Sequence, residues 1–127
     1  MNIEQERKEA LREIDEMLQE CKTDHEENLP GKLEEQLWAA LCLFQGEQFY
    51  TAKGLEYTYR IRGNEIFVDH KDKSITRASV AVAAQAAVKL QKKGEIVSGP
   101  KKLGTFGASY LYPVFIRIGL IMLPEEE

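Results

Sequence analysis

Cysteine and histidine are scarce in this chain, with two of each among 127 residues. Two thiols, Cys21 and Cys42, do not make a disulfide framework, and a chain of this length buries a sizeable core without staples. Both cysteines sit in helix-like stretches, which implies a reducing, cytoplasmic setting with packed thiols. Cys21 and His25 have a helical spacing that suits two corners of a zinc site, but further ligands are wanting and His70 stands alone in Asp69-His70-Lys71-Asp72-Lys73. A Cys-His nucleophile pair fares no better, because the neighbours of Cys21 are acidic and nothing lowers its pKa. No Ser/His/Asp arrangement has supporting spacing, and Asp69 and Asp72 read as solvated carboxylates in a lysine-rich turn. The expectation is a non-enzymatic protein with no metal and no cofactor.

Long apolar runs are also missing. The longest, Val114 to Leu123, is broken by Arg117 and falls far short of the roughly 20 residues a membrane span needs. The opening MNIEQERKEALREIDEM is rich in acids, so neither a signal peptide nor a membrane partner is expected. Internal repeats and low-complexity tracts are absent.

What is present is ordinary globular material, 43% hydrophobic and 30% charged. The net charge of −4 argues against a nucleic-acid binder, but the charge is unevenly placed. Residues 1–50 hold five Lys/Arg against thirteen Asp/Glu, a balance of −8; residues 51–127 hold twelve against eight, a balance of +4. This predicts one domain over 1–127 with an acidic helical part, about 1–46, and a basic α/β part, about 47–127, able to carry a local positive field.

The pattern along the chain supports that division. Residues 2–22 predict an amphipathic helix whose Leu11, Ile14, Leu18 and Cys21 share one face, followed by a polar connector at 23–31. A second helix, 33–45, is apolar nearly all round through Leu37-Trp38-Ala39-Ala40-Leu41-Cys42-Leu43-Phe44, so it is expected to be buried with Trp38 in the core. The period then changes to two. Strict alternation over 55–62, a turn at Gly63-Asn64 and a return over 65–69 predict a hairpin that pairs Arg62 with Glu65, Ile61 with Ile66, Arg60 with Phe67, Tyr59 with Val68 and Thr58 with Asp69. Residues 49–52 are expected to add a third antiparallel strand through a turn at Lys53-Gly54. Thr76 predicts the N-cap of an alanine-rich helix over 77–93 that stops at Gly94, with Lys89, Lys92 and Lys93 suiting its C-terminal dipole. Over 108–123 two readings stay open, since Ser109 suits a helix cap while the aliphatic content suits a strand. Helix to about Ile118 and a short extended segment beyond Gly119 is the reading adopted. The expected fold class is α+β: a small antiparallel meander of two or three strands packed against four helices.

One connector invites a chemical reading. In Gly99-Pro100-Lys101-Lys102-Leu103-Gly104-Thr105-Phe106-Gly107 the first two glycines have the gap of a phosphate-binding P-loop. The Lys and Ser/Thr required next are instead Thr105 and Phe106, and the dinucleotide fingerprint fails on spacing. A turn with Lys101 and Lys102 as an anion contact is what survives. Arg60, Arg62, Lys53 and Lys73 lie on or near the polar side of the hairpin, Arg77 begins the alanine-rich helix, and Tyr50 and Phe67 are interleaved with them. Together they outline a basic face with stacking capacity, among the acids Glu56, Glu65 and Asp69.

Gly63–Val80 and Gly99–Pro113 look like segments of short bacterial proteins of unassigned function. The meander followed by a helix is similar to DNA-binding modules that lay a sheet in the major groove, and Ile116–Ile121 is similar to the end of a winged-helix unit, although two helices precede the strands here. Two functions follow as expectations. The first is a small nucleic-acid-binding or regulatory protein that contacts DNA or RNA through Lys53, Arg60, Arg62, Arg77, Lys101 and Lys102. The second is a homodimer or protein-interaction module, in which Leu11, Ile14 and Leu18, or an aromatic patch around Tyr110 and Tyr112, remain exposed to meet a partner.

Overall fold

A computed structural model describes residues 2–22, 31–69 and 71–124. The protein is α+β, with four helices and two small antiparallel sheets among the described residues. Helix α1 (Ile3–Lys22) starts where the Asn2 side chain accepts the Gln5 amide at 2.9 Å, a local N-cap that the first residues of the helix require. Its apolar face packs on α2 (Gly31–Leu43), whose Leu33, Leu37, Trp38, Ala40 and Leu41 are buried. No basic residue occupies the last turn of α2. Arg7 of α1 serves instead, donating from Nε to the Leu43 carbonyl at 2.8 Å, so the cation that the helix dipole favours there arrives from another helix. Of the expected connector, residues 23–30, with His25, lie outside the described residues, and Gly31 opens α2.

Strands β1 (Phe49–Tyr50) and β2 (Glu56–Tyr57) form one two-stranded sheet; β3 (Tyr59–Arg62), β4 (Glu65–Val68) and β5 (Ile75–Thr76) form the other, in the order β3-β4-β5. The β3–β4 register is the expected one at Tyr59/Val68, Arg60/Phe67, Ile61/Ile66 and Arg62/Glu65. Beyond it, the Asp69 amide donates to the Thr58 carbonyl at 3.1 Å, and the Asp69 carboxylate accepts the Thr58 amide at 2.9 Å. A side chain thus replaces the next backbone acceptor of the ladder.

Two features depart from the expected meander. Residues 49–50 pair antiparallel with Glu56–Tyr57 as expected, but the alternating stretch 55–62 is divided at Thr58, so that pair forms its own sheet and the third strand beside the hairpin is β5. Gly46 donates to the Tyr59 carbonyl at 3.1 Å and Gln45 Oε1 accepts the Ile61 amide at 2.6 Å, so the turn leaving α2 covers the edge of β3 that β4 leaves open.

Helix α3 (Arg77–Lys92) is capped by Thr76 Oγ1, which accepts the Ser79 amide at 3.1 Å. Its buried Ala83, Ala84 and Ala87 permit close approach by its neighbours, and it contacts α1, α2, helix α4 (Ala108–Arg117) and a 3-10 turn at Pro100–Leu103. The N-cap of α4 is Gly107, which places Ser109 inside the first turn and not before it. After α4 the chain turns into the core, where Leu120 and Ile121 are buried. Gln91 ties this segment down, donating to the Leu120 carbonyl and accepting the Met122 amide, both at 2.9 Å.

The core is one contiguous cluster drawn from all four helices and both sheets. Three tyrosines of this core reach backbone carbonyls far away in sequence: Tyr57 to Tyr110 and Tyr59 to Leu41, each at 2.6 Å, and Tyr112 to Val97 at 2.9 Å. Each buried hydroxyl thereby gains the partner it needs and ties a strand or helix to a remote segment. No helix among the described residues is long and apolar enough to cross a membrane.

Candidate nucleic-acid interface

Alternation along β3 and β4 decides which side chains face outward. Tyr59, Ile66 and Val68 are buried against the helices, so Arg60 and Arg62 on β3, with Glu65 and Phe67 on β4, stand on the opposite face. Arg60 lies opposite Phe67 and Arg62 opposite Glu65. Glu65 Oε1 accepts the Ser74 hydroxyl at 2.6 Å, and Arg62 makes no ion pair with it. Neither guanidinium has a hydrogen bond or ion pair among the described residues, while Phe67 is 39% exposed between the strands.

The other cations proposed from the sequence are distributed elsewhere. Lys53 is exposed in the turn joining β1 and β2, and Lys101 and Lys102 are exposed on the 3-10 turn that packs on α3 and α4. Arg77 is occupied: its guanidinium lies 5.2 Å from the Trp38 ring centroid, 3.8 Å from Glu34 and 3.5 Å from Asn64 Oδ1. Stacking and pairing of this kind hold a half-buried arginine in place for packing. The six residues thus fall in four places, with Arg60 and Arg62 the one adjacent pair on a sheet face.

The hydrophobic stripe of α1 is not an exposed surface. Ile14 and Leu18 are buried and Leu11 is half-buried, because α2 covers that face within the same chain. The aromatic patch is corrected likewise. Tyr112 is buried with its hydroxyl on Val97, and Tyr110 packs edge-on against Tyr57 at 5.1 Å. Burying Tyr112 and half-burying Tyr110 takes apolar ring surface out of water.

Reactive groups are subdued. Burial pushes the Cys42 thiol upward, with Arg77 opposing more weakly, and Cys21 is buried. Burial also raises the hydroxyls of Tyr57, Tyr59 and Tyr112, so they act as neutral donors to the carbonyls they hold. Among the described residues no cluster of three or more His, Cys, Asp or Glu has metal-binding proximity.

A second basic region was not visible as a unit in the sequence. Lys71 and Lys73 line a groove of about 610 Å³ together with residues 105–110. The alternation of lysines in 71–73 is legible, but nothing in linear order says that it faces a loop more than thirty positions later. No protein-family model, no curated protein and no solved structure matches this chain.

Proposed function

We propose that this is a small non-enzymatic nucleic-acid-binding protein whose contact surface is the outward face of the β3–β4 hairpin. The observation that carries the reading is the pair Arg60 and Arg62, exposed without partners among the described residues and set beside the partly exposed ring of Phe67. Guanidinium groups suit phosphate oxygens in a forked geometry, and an exposed ring on the same face offers a base a stacking platform. Lys53, Lys101 and Lys102 supply further exposed positive charge; Arg77 serves the core.

The test is fluorescence anisotropy against single- and double-stranded DNA and RNA across a salt series. Arg60→Ala/Arg62→Ala should weaken binding and lower the log–log salt slope by about 1.4 for a single strand or about 1.8 for a duplex. Phe67→Ala should weaken single-strand binding with little change in the slope. Absence of binding at low salt, or a slope indifferent to both arginines, refutes the proposal.

A further inference from the structure

The groove between residues 71–75 and 105–110 holds features that the sheet face does not use. Lys71 Nζ rests 5.7 Å from the Tyr110 ring centroid and Lys73 Nζ 6.0 Å from that of Phe106, so aromatic walls hold both ammonium groups in the groove. Neither lysine has an ion pair among the described residues, and Asp72 is the one acid lining the groove. A neighbouring depression of about 260 Å³ shares Thr105, Ala108 and Ser109 with it and adds Lys101. Between the two lies the start of α4, whose cap residue Gly107 provides no side-chain acceptor. The Ser109 amide has no hydrogen-bond partner among the described residues.

Independently, the Thr105 hydroxyl oxygen is fully buried and has no partner, the only side-chain atom so placed among the described residues. A buried hydroxyl without a partner is costly, but this oxygen has no accessible surface in the groove, so an acceptor reaches it only if the 105–109 loop shifts. Phe106, on the same wall, is 55% exposed. The volume is within the range of small-molecule sites.

We infer that this groove binds a phosphomonoester carried on an aromatic base, as a free mononucleotide or as the 5′ end of a strand. The phosphate sits at the first turn of α4 with Lys71, Lys73 and the Ser109 amide, and the base covers Phe106. The site includes no residue of β3, so it stands or falls apart from the proposal for the sheet face.

The test is amide chemical-shift mapping and calorimetry on the full chain with inorganic phosphate, adenosine 5′-monophosphate and adenosine. Phosphate should shift the amides of 105–110, the nucleotide should bind at least tenfold more tightly than phosphate, and adenosine should leave the groove unshifted at the same concentrations. Lys71→Ala/Lys73→Ala should weaken the nucleotide at least tenfold with an unchanged thermal midpoint. Phe106→Ala should reduce the nucleotide to the affinity of phosphate, and Arg60→Ala/Arg62→Ala should leave both unchanged. A 5′-phosphorylated oligonucleotide that shifts the groove more tightly than the free nucleotide identifies a strand end as the source; equal or weaker binding identifies the nucleotide. The inference is overturned if phosphate and nucleotide leave 105–110 unshifted, if adenosine binds there as well as its monophosphate, or if removing both lysines changes nothing.

Discussion

Substituting Gly107 by alanine tests how the 99–107 connector is built. Gly107 has φ +80°, in the left-handed region, and a Cβ added there would stand 2.5 Å from Ile75 Cδ1 and 2.6 Å from Ile75 Cγ1. Gly104 provides the control, since its φ of +65° is also left-handed but an added Cβ meets nothing within 4 Å. Backbone strain alone costs about 1–2 kcal/mol at either position. Crowding a buried isoleucine adds about 1–3 kcal/mol at Gly107 only. Gly104→Ala should therefore lose about 1–2 kcal/mol and Gly107→Ala about 2–5 kcal/mol. Urea unfolding followed by fluorescence of the single, buried Trp38 measures both. Because Ile75→Ala removes all three side-chain atoms that an added Cβ would crowd, Gly107→Ala should cost less on that background, by at least about 0.5 kcal/mol. Equal losses at the two glycines, or strict additivity with Ile75→Ala, would refute the claim that close approach to β5 determines the residue at 107.

Three other outcomes follow from contacts described above. Since Tyr57, Tyr59 and Tyr112 have folded pKa values raised by burial, their contribution is fully present below the unfolded pKa of about 10 and is lost as pH rises above it, where the unfolded chain releases protons first. Each contributes a slope of up to about 1.4 kcal/mol per pH unit, so urea midpoints should be flat to about pH 9.5 and fall steeply beyond, less steeply in Tyr59→Phe. Glu47 bridges Arg117 at 3.0 Å and Arg7 at 3.5 Å, and both guanidinia lie 4.7 Å from the centroid of the Phe44 ring; Glu47→Ala should cost about 1 kcal/mol in urea unfolding, whereas no loss even at low salt would show the bridge to be idle. Gln91→Ala should cost about 1–2 kcal/mol and speed hydrogen exchange at Met122 far more than in the middle of α3, and equal acceleration at both would contradict a local tether.

The same physics separates what was legible from what was not. Period-two alternation with a Gly-Asn turn specifies both faces of the β3–β4 hairpin at once, because a slip of one residue would send Tyr59 and Val68 into water and Arg60 into the core. Thr76 and the alanine run specify α3 for equally local reasons, namely an available acceptor and low side-chain entropy cost. The split of 55–62 between two sheets and the pairing of β5 with β4 were not legible, because edge hydrogen bonds have no local signature: Gln45 and Gly46 reach β3 only after α2 has docked. Arg77 looked like a surface cation until Trp38 and Glu34 arrived beside it.

The sequence alone determined the first three helices, the hairpin register and the uneven placement of charge, since these depend on composition, side-chain period, capping and turn chemistry within a few residues. Tertiary structure decided which apolar stripe is covered, which cations keep partners and which stand apart, and that Lys71 and Lys73 meet residues 105–110. Those outcomes depend on contacts between segments far apart in the chain, where burial and pairing are settled by packing and no local pattern records them.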